Sequence, residues 1–193
     1  MRMVLRAIGL ALALASGAVA AGAGPSAPDA PRQTRSERYG NWGMSCAVAT
    51  GDMGRAVERC MVSQLVVADP RKRQVVLGLT VDFVDSPAVP TLRARFSAQA
   101  EPRAGIGIKV DALPDMRLAI TDCDARRCEA VGRLTPPVLK RLRAGKLAQF
   151  AYLQKDGRQV TLPLSLKGFG DALAALRQQQ QDLARDPARQ AAR

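Results

Sequence analysis

Residues 75–83 read VVLGLTVDF, with apolar side chains at every second position. That period is typical of a β-strand with one buried face. The alternation returns at 92–96, 106–110 and 116–120, and Asp156-Gly157 supplies a hairpin turn. Short strands that each bury one face are typical of antiparallel sheets covering a core. The sequence therefore predicts a mainly β protein, either an antiparallel sandwich or a partly closed barrel.

Two helices are predicted among these strands. Thr135 precedes a Pro-Pro pair, which favours a short helix near 136–144. A second helix is predicted near 168–183, at the C-terminal end of the domain. Its core-facing stripe consists of Phe169, Leu173 and Leu176.

The amino-terminal segment predicts export. Arg2 and Arg6 precede an uncharged apolar run, and Ala18-Val19-Ala20 has the small residues of a cleavage site. This layout is that of a secretory signal peptide, here residues 1–20. We therefore expect the protein in the periplasm or the outer cell envelope.

Composition divides the remaining chain into three parts. Residues 21–38 are rich in Ala, Pro, Ser and Gln and predict a flexible lead-in. Residues 178–193 predict a Gln- and Arg-rich tail, helical or disordered. Residues 39–177 remain as a single β domain, long enough to bury a sizeable core.

The charge balance predicts an anionic partner. The chain has 29 Lys and Arg against 17 Asp and Glu, a formal net charge of +12. Nucleic acid is not expected as the partner, because the protein is predicted to be exported and aromatic residues make up only 4% of it. An anionic envelope component or an envelope protein is expected instead, and peripheral contact with a membrane is compatible with the same charge. The candidate contact residues are Arg93, Arg95, Lys140, Arg141, Arg143 and Lys146.

The absence of histidine excludes several classes of site. Ser-His-Asp and Cys-His nucleophilic sites need a histidine, as do the ordinary His-containing zinc sites, and the chain has none. No metal site or catalytic residue is predicted.

Four cysteines, at 46, 60, 123 and 128, allow three pairings. Export favours disulfides, and the local arrangement joins Cys46 to Cys60 and Cys123 to Cys128. The first bridge is expected to tie the ends of the connection between two strands. A zinc site of four thiolates fits the spacing poorly. A redox-active Cys123–Cys128 pair remains an alternative, because Arg126 and Arg127 would lower the pKa of a neighbouring thiol.

Several of these segments, in this order, resemble the invasion-associated locus B family. The likeness covers about 39–176 and includes Tyr39-Gly40-Asn41-Trp42, Cys46, Cys60-Met61-Val62-Ser63-Gln64, the Cys123/Cys128 pair and Leu164-Ser165-Leu166-Lys167-Gly168-Phe169. The resemblance implies an exported envelope protein with a β-rich fold, no known cofactor and no established catalytic residues. Asn41 stands where the family usually has Asp, and Arg127 stands where it usually has Gly.

The shared segments predict structural roles. Trp42 is expected to close one end of the core. Gly168 is expected to permit a close turn from strand to helix, with Phe169 anchoring that helix to the sheet and Lys167 in solvent. Gln64 alternates with apolar neighbours, so it either satisfies a buried backbone group or faces a partner.

The functional prediction is a non-catalytic binding or interaction module with a basic surface. One alternative is a periplasmic thiol–disulfide exchange enzyme that uses Cys123 and Cys128. Another is a structural role in envelope assembly, in which a sheet edge or the C-terminal helix docks on another protein.

Overall fold

A computed structural model of the chain describes residues 31–50, 56–69, 71, 74–83, 88–111 and 116–185. The predicted signal peptide (1–20), most of the predicted lead-in and the end of the predicted tail (186–193) lie outside the described residues.

Eleven strands and two helices make up the described fold. Along the chain they are β1 (Arg32–Tyr39), β2 (Trp42–Thr50), β3 (Ala56–Asp69), β4 (Gln74–Asp82), β5 (Thr91–Ser97), β6 (Ile106–Val110), β7 (Met116–Leu118), β8 (Ile120–Cys123), β9 (Arg127–Arg133), α1 (Pro136–Ala144), β10 (Leu147–Leu153), β11 (Gln159–Ser165) and α2 (Phe169–Arg185). A 3₁₀ turn at Pro102–Ala104 precedes β6.

The strands form two antiparallel sheets, which confirms the predicted fold class. The larger sheet has seven strands in the order β1-β2-β3-β4-β5-β9-β8, and the smaller has four in the order β11-β10-β6-β7. Both sheets are open, so the architecture is not a barrel. The inward side chains of both sheets form one buried cluster, in which the rings of Phe96 and Phe150 are 5.2 Å apart.

Strand β1 corrects one predicted boundary. The sequence predicts a lead-in that runs to residue 38, but Arg32–Tyr39 pairs with β2 along its length. The segment RQTRSERY lacks apolar alternation because it is an edge strand that binds through its backbone. Arg35 also donates to Gln179 of α2 at 2.6 Å. The part of the predicted lead-in from Arg32 onward therefore belongs to the larger sheet.

Both helices lie where the sequence predicts them. Leu139 and Leu142 of α1 are buried, and so are the three predicted contacts of α2. Gly145 directly follows α1, and its φ of −74° is one that any residue adopts. Glycine is needed there because a Cβ would lie 2.4 Å from Val110 Cγ1, which leaves no space for a side chain. Neither helix, as far as the structure describes them, is long and apolar enough to cross a membrane.

Two turns meet where β1 joins β2 and β11 joins α2. The Asn41 amide donates to the Lys167 carbonyl at 3.0 Å. Gly168 has a φ of +86°, and a Cβ on it would lie 1.9 Å from the Tyr39 carbonyl oxygen. A Cβ on Gly40 would lie 2.6 Å from the Lys167 carbonyl oxygen. These two glycines therefore permit a backbone contact that larger residues exclude.

Trp42 and Gln64 complete this joint, which consists of residues 39–42, 64 and 165–169. Trp42 is buried, donates from Nε1 to the Ser165 carbonyl at 3.0 Å, and lies edge-on to Phe169 with ring centroids 4.9 Å apart. Gln64 donates from Nε2 to the carbonyls of Asn41 and Ser165, both at 3.1 Å. The buried Gln64 side chain thus satisfies backbone carbonyls at the joint, which corresponds to the first of the two roles open to it from the sequence.

Both disulfides join directly opposed residues of neighbouring strands. Cys46 of β2 is bonded to Cys60 of β3, and Cys123 of β8 to Cys128 of β9. The pairing is the local one, but the position of the first bridge differs from expectation. Strand β2 continues beyond Cys46 to Thr50, so the bridge crosses the middle of the ladder and not the ends of the connection.

Replacing Gly168 by Ala tests the close approach at the joint. We expect G168A to lower the free energy of unfolding by about 3 kcal/mol or more, because the positive φ and the overlap with Tyr39 both oppose a side chain. Gly157 is the matched control: its φ is +84°, and a Cβ there would have no neighbour within 4 Å. G157A should cost about 1 kcal/mol, and equal costs in urea unfolding would contradict the argument.

Removing each disulfide separately tests its contribution to stability. The bridged residues are 14 and 5 positions apart. Loop-closure entropy then predicts a loss of about 3 kcal/mol for C46A/C60A and about 2 kcal/mol for C123A/C128A. Urea unfolding without reductant measures both, and the reverse order would show that native packing, not chain entropy, sets the difference.

Candidate functional site

The two basic residues predicted on β5 are paired with acidic side chains. Arg93 Nε lies 3.6 Å from Asp82 Oδ2, and Arg95 Nε lies 2.7 Å from Glu129 Oε2. These partners balance the positive charge of the strand locally. Each of the two predicted contact residues on β5 therefore has an acidic partner within the fold.

The predicted basic residues near α1 separate into two groups. Lys140 and Arg143 are exposed and line one cleft. Arg141 is half-buried and does not line this cleft. Lys146 lies beyond the helix, where its amide donates to Asp111 Oδ2 at 3.2 Å. The structure thus brings together two of the six predicted contact residues.

The cleft beside α1, called here the basic cleft, has a volume of about 570 Å³. That size is in the range of small-molecule sites. Its described lining consists of Ala88, Val89, Leu134, Pro136, Leu139, Lys140, Arg143, Ala144 and Arg177. No acidic residue occurs in this described lining. The site therefore combines an apolar wall with three cations.

Arg177 of α2 is the cation that the sequence interpretation missed. Its guanidinium carbon lies 5.4 Å from the centroid of the Phe83 ring, within the range of a cation–π contact. Its Nε is buried and has no hydrogen-bond partner among the described residues. The available signal was helical spacing, because Arg177 follows Leu173 by four residues and so continues the inward stripe of α2.

An unpaired buried donor of a charged group is unusual. Such a group costs about 1–3 kcal/mol when no acceptor replaces water. Lys140 and Arg143 have no carboxylate within ion-pair distance in the described part of the chain. An anion in the basic cleft would relieve the mutual repulsion of the three cations that line it.

The Arg143 stem lies close to α2. A Cβ on Gly170 would be 3.8 Å from Arg143 Cγ. The first turn of α2 therefore lies beside the last turn of α1. Arg177, about two turns further along α2, lines the same cleft as Lys140 and Arg143.

Several aspartates act as local backbone caps. Asp124 accepts hydrogen bonds from the Arg126 and Arg127 amides, at 2.6 and 2.8 Å, and these bonds lower the pKa of its carboxyl. Asp156 accepts from the Arg158 amide at 3.0 Å, and that bond, with a second from the Arg158 side chain, likewise lowers the pKa of its carboxyl. Asp111 accepts from the Leu147 amide at 3.2 Å. These carboxylates are engaged in turns and strand ends.

The cysteines and carboxylates do not form a metal centre in the described residues. No group of three or more potential ligands is present there, and every described cysteine is in a disulfide. Cys128 is fully buried, whereas Cys123 is half-buried. Cys123 is therefore the more exposed residue of this bridge.

Comparison with known proteins identifies one family. The sequence profile described as invasion associated locus B (IalB) protein matches residues 42–177. The crystal structure of invasion associated protein B from Bartonella henselae has a similar fold, with a TM-score of 0.64 at 22% sequence identity. The match covers 77% of this chain and 99% of the other. No curated protein matches the chain.

Exchanging Arg177 for Met tests whether this cation serves the fold. We expect R177M to change the free energy of unfolding by less than about 1 kcal/mol, because the lost cation–π contact is offset by removal of an unpaired buried donor. R93M is the comparison, since it removes the ion pair of the buried Asp82 carboxylate, and it should cost about 1–3 kcal/mol. If thermal and urea unfolding give R177M the larger cost, Arg177 is a structural residue.

Proposed function

The chain belongs to the invasion-associated locus B family, and on that basis we propose that it is an exported, non-catalytic binding module of the cell envelope. In this proposal the basic cleft holds an anionic group of an envelope component. The observation that supports the proposal is that Lys140, Arg143 and Arg177 line one cleft whose described lining contains no acidic residue.

Export is supported by the sequence of the amino terminus and by the disulfides of the fold. The first twenty residues have the layout of a signal peptide. Both cysteine pairs are joined, and disulfides of this kind persist in oxidising compartments outside the cytoplasm. We therefore propose the periplasm or the outer envelope as the site of action.

A non-catalytic role is supported by the contacts of several aspartate carboxylates, which are engaged in hydrogen bonds or an ion pair. Asp111, Asp124 and Asp156 accept backbone hydrogen bonds, and Asp82 is paired with Arg93. Carboxylates engaged in such contacts are poorly placed to act as general acids at neutral pH.

The cleft defines the ligand chemistry. Its cations favour a phosphate, carboxylate or sulfate, and Leu134 and Leu139 provide an apolar wall beside them. The ligand we propose is therefore an anionic group attached to an apolar portion of modest size. Since exposed charges are screened over about 8 Å at physiological ionic strength, its binding should weaken as salt rises.

Naphthyl phosphate is a soluble probe that joins an anionic group to an apolar ring system. Naphthol has the same rings without the charge. We expect the phosphate to bind in calorimetry and to shift the amide resonances of Ala88 and Ala144, which line the cleft. Naphthol should bind at least about tenfold more weakly, because charge-assisted hydrogen bonds are lost.

The variant K140Q/R143Q/R177Q removes the three cations of the cleft. It should weaken binding of naphthyl phosphate by about tenfold or more. The matched control is K109Q/R117Q/R133Q, which removes as much charge at exposed positions outside the described lining of the cleft. Equal loss in both variants would mean that net charge alone attracts the probe, and the proposed site would be wrong.

A further inference from the structure

The hairpin of β3 and β4 extends beyond its neighbours in the larger sheet. The pairing of β3 with β2 ends at Ser63, whereas its pairing with β4 continues to Asp69. On the other side, β5 pairs with β4 only from Leu77 onward. The distal part of the hairpin is thus a two-stranded ribbon, called here the distal ribbon (residues 64–69 and 74–76 with Arg71).

Exposed apolar residues concentrate on this hairpin. Of the six large exposed hydrophobic residues in the described chain, four lie on β3 or β4: Met61, Leu65, Val67 and Val75. Leu65 is the most exposed of the six, at 63%, and Val75 follows at 49%. Val67 is directly opposite Val75, so their side chains share a face. A cluster of exposed apolar residues on one element is typical of an interaction surface.

Cations border the same residues. Arg59 lies two positions before Met61 on β3, and Arg71 lies in the connection to β4; both are exposed. In the sequence, Arg71 begins the uninterrupted basic run Arg71-Lys72-Arg73 between the two strands. The nearest acid on the ribbon is Asp69, whose Oδ1 already accepts a hydrogen bond from the Arg71 amide at 2.9 Å. Asp69 stays charged in this bond, but it is the only acid between residues 64 and 76, so against the three cations the formal net charge of this stretch is +2.

We propose that the distal ribbon is a membrane-contact surface, which places Leu65, Val67 and Val75 in the interface of a bilayer that contains anionic lipid. Apolar side chains flanked by cations suit that boundary, because the hydrocarbon takes the former while the headgroup phosphates pair with the latter. A bilayer is fluid, so it can contact the ribbon without a pocket of complementary shape. This suits two strands that have no neighbouring strand on either side in the described fold. The proposal concerns a different surface from the basic cleft and stands independently of it.

Vesicle binding of the purified, oxidised protein tests this surface. The probes are vesicles of phosphatidylcholine mixed with phosphatidylglycerol, and vesicles of phosphatidylcholine alone. The wild-type protein should cosediment with the anionic vesicles and bind the neutral ones much more weakly, because headgroup attraction is lost. The variant L65S/V75T should bind the anionic vesicles about tenfold more weakly, because less apolar surface enters the interface.

Two other exposed leucines provide the matched control. Leu147 and Leu153 are 45% and 38% exposed and belong to β10 of the smaller sheet. The variant L147S/L153T should bind vesicles like the wild type, and thermal unfolding should show that both variants are folded. Equal binding by L65S/V75T and wild type, or equal loss in the two variants, would overturn the proposal.

Two further outcomes distinguish membrane contact by the ribbon from lipid binding in the basic cleft and from self-association. If K140Q/R143Q/R177Q abolishes vesicle binding while L65S/V75T does not, the basic cleft and not the ribbon contacts the lipid. If L65S/V75T changes only the sedimentation coefficient of the protein without lipid, the ribbon binds a second copy of the chain. Either result overturns the membrane assignment, and neither contradicts the separate proposal that the cleft binds an anion.

Discussion

The contact on which the described fold depends is the approach of one backbone turn to another at the joint. The Asn41 amide donates to the Lys167 carbonyl, and Gly168 lies so close to Tyr39 that no side chain fits between them. The Ser165 carbonyl accepts from both Trp42 and Gln64. Three distant parts of the sequence therefore share one small set of hydrogen bonds. Buried polar groups are costly when unpaired, so this network permits one relative placement of the larger sheet, β11 and α2.

Local patterning predicts those strands whose side chains alternate between core and solvent. Alternation over 75–83 predicts a strand, and the structure places it at Gln74–Asp82, because a half-buried strand must carry the period of two in its side chains. Strand β1 lacks this signal, since an edge strand is held by backbone hydrogen bonds, which leave no pattern in the side chains. The sequence also did not show that the first disulfide lies in the middle of the β2–β3 ladder. The distance of a cysteine from the end of its strand depends on how far the backbone pairing continues.

The candidate site was predictable only in part, for a physical reason. Lys140 and Arg143 could be found because they lie on the exposed face of a helix with a clear apolar stripe. Arg177 could not be grouped with them, since it comes from a helix that is distant in sequence. The acidic partners of the strand arginines could not be read from local sequence, because they come from neighbouring strands: Glu129 is opposite Arg95 in the β5–β9 register. Cross-strand pairing of this kind depends on the register, which residue types alone do not specify.

The joint and the basic cleft are connected through α2. Phe169, packed against Trp42, fixes the start of the helix, and Leu173 and Leu176 continue the contact with the core. The next residue is Arg177, which this rigid helix carries to the ring of Phe83 and the edge of α1. Trp42 and Phe169 thus act on the fold and set the position of Arg177, and all three lie within the matched range 42–177. A shared fold does not by itself specify a ligand, so the anion binding we propose depends on the particular side chains that this scaffold holds in place.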